Sequence, residues 1–221
     1  MPHRIGAVTI GQSPRTDVIP DMQGILGPDV TIVEAGALDD LSRDDVAALA
    51  PGTDDQVLVT RMRDGTAVRV AGRHIVPRVQ RCIERLEPQV GAILLLCTGT
   101  FAPFASSRPI VYPERILYAL AAAIAPGAHL GVITPDSRQI PEQRHRWSEI
   151  SPRVTVLAAS PYESSGELER LGRELAAAGA DLLVLDSLGY SVAMKTMVRG
   201  ASGKSVLLPR TVLARAAAEL L

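Results

Sequence analysis

The amino-acid sequence predicts an α/β fold, doubly wound, built mostly of parallel sheets. Short runs of aliphatic residues alternate with longer segments of helical period along almost the entire chain. Uninterrupted aliphatic runs are typical of strands buried on both faces of a parallel sheet. The composition agrees, because 47% of the 221 residues are hydrophobic and only 3% are aromatic. Such a chain is long enough for one large domain, or for two small lobes with a real core.

The predicted strands are the short runs rich in Val, Ile and Leu. We place them at Ile5–Ile10, Val30–Glu34, Gln56–Thr60, Ala92–Leu96, Leu130–Thr134, Val154–Leu157, Leu182–Leu185 and Ser205–Leu208. A β-hairpin is predicted over residues 60–73, with Asp64-Gly65 as its turn.

Helices are predicted between the strands, where apolar residues recur with helical spacing. They span Val76–Leu86, Pro113–Ala125, Pro141–Ile150, Ser164–Ala178, Ser191–Val198 and Pro209–Leu221. Three of them begin at a proline, which the first turn of a helix tolerates.

Two pairs of strand-and-loop segments resemble each other. Ile5–Arg15 and Leu130–Arg138 are both apolar strands that end in Thr and lead into a loop with Ser and Arg. Gly91–Phe101 and Ala180–Tyr190 each combine a strand with a small polar residue, a glycine and an aromatic residue. Two matches in the same order predict two similar lobes that face one another. Chance similarity between α/β strands is the alternative.

Charge and motif content argue against several classes of protein. Lys and Arg total 23 against 24 Asp and Glu, so no cationic surplus is present to neutralise nucleic-acid phosphates. No GxGxxG follows a strand and no GxxxxGK[ST] or GxSxG occurs, which disfavours dinucleotides, nucleoside triphosphates and ordinary serine hydrolysis. The four histidines have no metal-ligand spacing. We therefore expect no nucleic-acid partner, no cofactor and no metal.

The sequence also carries an expectation about location. Two cysteines do not make a disulfide framework, and no secretory signal opens the chain. The longest apolar stretch, Ile116–Ala125, is about half as long as a bilayer span requires. We therefore expect a soluble cytoplasmic protein with no membrane partner.

Four loops directly after predicted strands are the candidate binding segments, because ligands of parallel sheets bind at the carboxyl ends of strands. They are Gly11–Arg15, Cys97–Thr100, Pro135–Arg138 and Asp186–Tyr190. Their thiol, hydroxyls, glycine-freed N–H groups and two arginines suit the recognition of a small carboxylate.

Cys97 is the most informative candidate. A cysteine at the end of a buried strand, with helix N-termini nearby, can act as a nucleophile or a proton carrier. The alternative is a small buried apolar residue. Cys82, in the middle of a predicted helix, is interpreted as a packing residue.

Each of the other candidates has a structural alternative. Ser187 either belongs to the site or caps the following helix. Arg15 either binds substrate or is an ordinary surface charge. Tyr112 and Arg115, at a helix start after a proline-rich loop, either face the cleft or do not.

The residues resemble those of the AroM family. The resemblance is carried by TIGQSPR, LLLCTGTF, VYPERIL, LGVITP, LDSLGY and the C-terminal LARAAAELL, and it runs over essentially the whole chain. It places the sequence in the aspartate/glutamate racemase superfamily, with hydantoin racemases, maleate isomerases and arylmalonate decarboxylases. It implies two pseudo-symmetric α/β lobes: 1–102, to which the C-terminal helix at 201–221 returns, and 103–200.

The resemblance also implies a mechanism. In racemases of this superfamily two cysteines, one per lobe, face each other across the substrate carbon, and one removes the proton that the other returns. Cys97 matches the first position, whereas Ser187 stands at the second. A hydroxyl is a far weaker acid than a thiol, so a reaction with one thiol is expected, as in the arylmalonate decarboxylase relatives.

The leading hypothesis is a cofactor-independent racemase, isomerase or lyase that acts at the carbon beside a small substrate's carboxylate. Cys97 and Ser187 are the expected catalytic residues. The expected substrate-binding residues are Gln12, Ser13, Arg15, Thr98, Gly99, Thr100, Tyr112, Arg115, Leu188 and Gly189. Two alternatives stay open, a non-catalytic small-acid binding or regulatory protein and a purely structural partner protein. Homo-oligomerisation also stays open.

Overall fold

The structure is a computed structural model that describes residues 3–163 and 166–221. The chain forms two compact units. Unit 1 comprises the residues up to Pro113 together with Leu213–Leu221, and unit 2 comprises Glu114–Val212. The lobe boundaries expected from the sequence, 102/103 and 200/201, stay a prediction.

The strands and helices follow one another in α/β order. The strands are β1 (His3–Thr9), β2 (Val30–Gly36), β3 (Val57–Arg61), β4 (Ala67–Ala71), β5 (Ala92–Leu96), β6 (Ile110–Val111), β7 (Leu130–Thr134), β8 (Val154–Ala158), β9 (Leu182–Leu185) and β10 (Ser205–Leu207). The helices are α1 (Ile19–Leu26), α2 (Arg43–Ala47), α3 (Gly72–Leu86), α4 (Pro113–Ile124), α5 (Ile140–Ser148), α6 (Gly166–Ala177), α7 (Val192–Ser202) and α8 (Pro209–Ala218). Within the two described stretches, no helix is both long and apolar enough to cross a membrane.

Each unit is built on a four-stranded sheet in which all the pairs are parallel. The strand order is β2-β1-β5-β6 in unit 1 and β8-β7-β9-β10 in unit 2. The segments that resemble each other in sequence therefore occupy equivalent places, since β1 corresponds to β7 and β5 to β9. The α/β prediction with parallel sheets is confirmed, and the equivalent strand orders account for the internal repeat.

Aliphatic runs in unit 2 are buried on both faces of their sheet. Val132 and Val184 pack with Trp147 on one face, whereas Ile133 and Leu185 belong to the core on the other face. Because successive strand residues point to opposite faces, each of these strands supplies both cores.

Unit 1 carries the predicted hairpin in addition to its sheet. Strands β3 and β4 pair antiparallel, and Gly65, with a φ of 94°, allows the turn between them. The hairpin leads directly into α3, which therefore begins at Gly72 rather than at Val76.

Every predicted strand overlaps an observed one, but several short elements were not predicted. Helix α1 is only eight residues long and contains Pro20 and Gly24, α2 has five residues, and β6 has two. Such lengths are too short for a periodic pattern to emerge. Of the helix predicted at Ser164–Ala178, residues 164 and 165 lie outside the described residues, and α6 covers most of the remainder.

Candidate active site

The predicted site loops follow neighbouring strands in each unit. Because β1 pairs with β5, Gly11–Arg15 and Cys97–Thr100 leave the sheet of unit 1 at the same edge. Because β7 pairs with β9, Pro135–Arg138 and Asp186–Tyr190 meet at the corresponding edge of unit 2. The carboxyl ends of parallel strands are the usual binding edge of an α/β sheet. That all these residues converge on one site stays a prediction.

Gln12 is buried and ties the first loop to its surroundings. Its side-chain N–H donates to the carbonyls of Leu38 at 3.1 Å and Leu41 at 3.3 Å. Its side-chain oxygen accepts the backbone N–H of Arg63 at 2.9 Å. These bonds join the loop to the segment after β2 and to the hairpin, so Gln12 positions the loop.

Ser13 is held by an acid that the sequence analysis did not single out. Asp39 accepts the backbone N–H of Ser13 at 2.6 Å and its hydroxyl at 2.8 Å. The same carboxylate accepts the N–H of Gly36 at 2.8 Å, directly at the end of β2. Asp39 therefore fixes two strand-end loops to one another.

Arg15 is buried rather than at the surface, with an exposed fraction of 3%. Its Nε and Nη2 each donate to the carboxylate of Asp17 at 2.8 Å, and its Nη1 donates to the hydroxyl of Thr9 at 2.8 Å. The guanidinium fork is thus engaged by an internal carboxylate and by the end of β1.

The pKa values of two acids beside Arg15 shift in opposite directions. Burial alone would raise the pKa of Asp17, but the hydrogen bond and charge of Arg15 outweigh it and hold that pKa below its ordinary value. Burial raises the pKa of Glu34, whose carboxylate accepts the backbone N–H of Arg15 at 2.6 Å.

Cys97 lies directly after β5 and is 9% exposed. Its Sγ accepts the backbone N–H of Gly99 at 3.3 Å. A Cβ on Gly99 would come within 2.9 Å of Leu58, so this position is too tight for a larger residue. Thr98 is buried, whereas Thr100 is exposed. The thiolate is the reactive form of cysteine, and the N–H of Gly99 is a donor within reach of the sulfur.

Ser187 lies directly after β9 and is 8% exposed. Its Oγ accepts the backbone N–H of Gly189 at 3.1 Å, and Leu188 between them is buried. A Cβ on Gly189 would come within 2.7 Å of Pro161 and Tyr162. Ser187 therefore has the same kind of contact, two residues along the chain, that Cys97 has in unit 1.

Asp186 belongs to a buried aromatic and charged cluster that sequence reasoning missed. Its carboxylate accepts the indole N–H of Trp147 at 3.0 Å, and the ring of Tyr118 stacks on Trp147 at 4.2 Å. The guanidinium of Arg146 lies 5.2 Å from the Tyr118 ring centre and 3.4 Å from the carboxylate of Glu114. Burial, with the charge of Asp186, raises the pKa of Tyr118. The cluster anchors the end of β9 to α4 and α5.

Two further side chains hold the loop after β9. Arg210, fully buried at the start of α8, donates to the carbonyls of Leu188 and Gly189. Tyr190, also fully buried, donates its hydroxyl to the carbonyl of Ala159 at 2.6 Å. Neither contact has a signal in the sequence, because each joins residues more than 20 positions apart.

The remaining candidates are in the third loop and around the start of α4, and the contacts found for them are within the protein. Asp136 accepts the backbone N–H of Arg138 at 2.9 Å and pairs with its side chain, which organises the third loop internally. The hydroxyl of Tyr112 accepts the backbone N–H of Phe104 at 2.8 Å in unit 1. Arg115 is exposed on α4 of unit 2. Their contact with a substrate stays a prediction.

Cys82 packs in the hydrophobic core of unit 1, as its helical position predicted. Neither cysteine forms a disulfide bond. Burial raises the pKa of the Cys82 thiol, which lowers its reactivity near neutral pH. Cys97 belongs to the same hydrophobic cluster. Across residues 3–163 and 166–221, no three His, Cys, Asp or Glu side chains are grouped to hold a metal ion.

Comparison with known proteins identifies a family and a fold. The model of the AroM protein family matches residues 5–221. No curated protein matches the sequence.

Solved structures with the same fold include three enzymes. Glutamate racemase from Francisella tularensis, in complex with D-glutamate, is 15% identical, with 100% of this chain and 81% of that chain covered and a TM-score of 0.60. Nocardia farcinica maleate cis-trans isomerase, bound to TRIS, is 15% identical, with 99% and 92% covered and a TM-score of 0.63. Unliganded arylmalonate decarboxylase is 16% identical, with 99% and 92% covered and a TM-score of 0.56. At these identities the similarity establishes the fold alone.

Proposed function

This chain belongs to the AroM family, and we propose that it is an enzyme acting at the carbon beside the carboxylate of a small acid. Cys97 carries the proton to or from that carbon, and Ser187 is the second catalytic group. The reaction is an isomerisation or a lyase reaction with a single thiol, and it needs no cofactor.

The observation that carries this proposal is the equivalence of the two strand-end loops. Cys97 and Ser187 follow topologically matching strands, β5 and β9, and each accepts an N–H from the glycine two residues later, at 3.3 Å and 3.1 Å. Each loop thus places a polar side chain at the carboxyl end of a parallel strand, where ligands of such sheets bind.

The surroundings of Cys97 favour proton transfer. The N–H of Gly99 stabilises negative charge on the sulfur, and the low exposure of the thiol keeps water from competing. The hydroxyl of Thr98 and the backbone N–H groups of Thr98, Thr100 and Leu188 hold the substrate carboxylate, while the N–H groups of Gly99 and Gly189 stay on Cys97 and Ser187. The same donors stabilise the charge of an enolate-type intermediate as it develops.

The side chains of the first loop are engaged within unit 1, so this loop shapes the site rather than supplying a free charge to the substrate. Arg15 is already engaged by Asp17, so a substrate carboxylate competes with an internal one for the guanidinium. Gln12 and Ser13 likewise use their side chains within unit 1. We propose that the three residues shape the substrate pocket, with Tyr112 and Arg115 at its margin.

The named activities of proteins with this fold support a small carboxylic acid as substrate. They include a glutamate racemase with D-glutamate, a maleate isomerase and an arylmalonate decarboxylase. Inverting a carbon needs an effective proton donor on each face, and the hydroxyl of Ser187 is a poor one. Proton transfer to one face of the carbon, by a single thiol, therefore fits this chain better than two-thiol racemisation.

A non-catalytic small-acid binding protein is the second candidate. The observation that favours it is the hydroxyl of Ser187 at the position equivalent to the Cys97 thiol. It predicts that a small acid binds and stabilises the protein, but that the protein does not catalyse exchange of its carbon-bound protons with solvent.

The test combines binding with exchange. Maleate, D-glutamate and phenylmalonate are screened by thermal shift, where a ligand at about 100 times its Kd adds roughly 2.7 kcal/mol of stability. For the acid that binds, incorporation of deuterium from heavy water, or release of carbon dioxide, is followed by NMR.

We expect Cys97→Ala to slow the reaction about 10²- to 10⁴-fold, the usual contribution of a positioned acid or base. Cys82→Ala, which removes the core thiol, is the matched control and should retain the activity. Ser187→Cys should create or enhance racemisation. Full activity in Cys97→Ala contradicts the one-thiol mechanism, and binding without any turnover supports the binding protein instead.

A further inference from the structure

We propose that Arg210 is a positioning residue that aims backbone N–H groups of the loop after β9 at Ser187 and stabilises negative charge there. This inference rests on the proposed role of Ser187. Arg210 lies 23 positions beyond Ser187, at the start of α8, and it is fully buried.

The guanidinium binds two successive carbonyl groups of the loop. Its Nε and Nη2 donate to the carbonyl of Leu188 at 3.0 and 2.6 Å, and Nη2 also donates to the carbonyl of Gly189 at 3.0 Å. A buried guanidinium is costly unless its donors are satisfied, and its planar fork fixes direction as well as distance. Arg210 thus restrains two peptide planes.

The geometry of a peptide carries this restraint across to Ser187. In a trans peptide the C=O and the following N–H lie in one plane and point in opposite directions. When the Leu188 carbonyl is held by Arg210, the N–H of Gly189 points the other way, and it donates to Ser187 Oγ at 3.1 Å. The next peptide repeats the pattern, because the N–H of Tyr190 donates to the carbonyl of Ser187 at 3.4 Å.

The positive charge adds to the effect of orientation. A cation on the carbonyl end of a peptide polarises the peptide, which strengthens its N–H as a donor through a chain of hydrogen bonds. The N–H of Gly189 is thereby a better partner for a negatively charged atom at position 187. Gly189 itself has no room for a side chain beside Pro161 and Tyr162, so the loop has little freedom to reorient.

The test measures the ionisation of a thiol introduced at position 187, and it needs no substrate. In a Cys82→Ala, Cys97→Ala background, Ser187→Cys introduces a single thiol at the restrained position. Its rate of alkylation by iodoacetamide is measured from pH 5 to pH 10 by mass spectrometry. With Arg210 intact, the pH of half-maximal rate is the reference midpoint, which burial and the carboxylate of the neighbouring Asp186 raise and the N–H of Gly189 lowers.

The second arm changes the guanidinium. Arg210→Lys keeps the charge but not the fork, and Arg210→Met removes both. We expect the midpoint to rise in both, by about one pH unit in Arg210→Met, which lowers the alkylation rate near neutral pH about tenfold. Arg199→Met, which removes an exposed arginine from α7, is the matched control and should leave the midpoint unchanged. Folding of each variant is checked by circular dichroism.

An unchanged midpoint in folded Arg210→Met or Arg210→Lys overturns the proposal. The outcome is separable from that of the proposed function, because alkylation needs no substrate. A protein with no activity on any small acid can still have a shifted thiol at position 187. Conversely, an active enzyme whose midpoint ignores Arg210 refutes the positioning role alone.

Discussion

The buried ion pair between Arg15 and Asp17 gives a sharp prediction about stability and pH. Asp17→Asn keeps the size of the side chain but removes the charge that compensates the guanidinium. The side chains are 4% and 15% exposed, so little water is available to replace the lost partner. The variant should therefore unfold more easily at neutral pH.

The magnitude follows from the contacts. Removing one partner of a buried ion pair typically costs about 3–5 kcal/mol. Asn retains one acceptor oxygen of the two that Arg15 uses at 2.8 Å, so we expect a loss of about 2–3 kcal/mol. The effect must depend on pH, because the pKa of Asp17 in the folded protein lies below its ordinary value of 3.8. The stabilisation is full above that value and is lost as the pH falls below it.

Urea unfolding followed by far-ultraviolet circular dichroism measures this difference at pH 7 and near pH 3. Fluorescence alone is a poor probe, because the single tryptophan, Trp147, belongs to unit 2. Glu34, whose raised pKa acts in the opposite sense, is present in both proteins, so most of its contribution cancels. Asp29→Asn, at an exposed turn, is the matched control. The reasoning is refuted if Asp29→Asn costs as much as Asp17→Asn, or if the gap is as wide near pH 3 as at pH 7.

Two packing contacts of unit 2 give further predictions. Gly131→Ala should lower the free energy of unfolding by about 1–3 kcal/mol in thermal or urea unfolding, because its Cβ would lie only 2.6 Å from the Leu183 side chain. An unchanged stability would mean that the neighbouring side chains move to make room. Tyr190→Phe should cost about 1–3 kcal/mol by the same measurement, since it leaves the buried carbonyl of Ala159 without the hydroxyl that donates to it at 2.6 Å. Equal stability of the Phe variant would indicate that water or another donor replaces the hydroxyl.

The fold was predictable because its evidence is local. A strand such as Leu182–Leu185 is apolar at every position, and this is what burial on both faces of a parallel sheet requires. The repeat that relates Ile5–Arg15 to Leu130–Arg138 appears in the structure as equivalent strands of two sheets. Elements such as α2 left no trace in the pattern, because five residues are too few for helical periodicity.

The candidate loops were predictable for a related reason. A polar residue directly after a buried strand, such as Cys97 or Ser187, stands out against its neighbours, and parallel strands bring their carboxyl ends to one edge. What each polar group binds was not predictable. Arg15 has the same sequence context whether it faces solvent or a buried carboxylate.

The sequence by itself determined which residues form the strands and which polar groups follow them, because both depend on neighbours in the chain. Only the tertiary structure decided the partners of those groups: Asp17 for Arg15, Asp39 for Ser13 and Arg210 for the loop after Ser187. The last two pairings join residues far apart in the chain, and a hydrogen bond depends on distances of about 3 Å and on direction, which residue order does not specify.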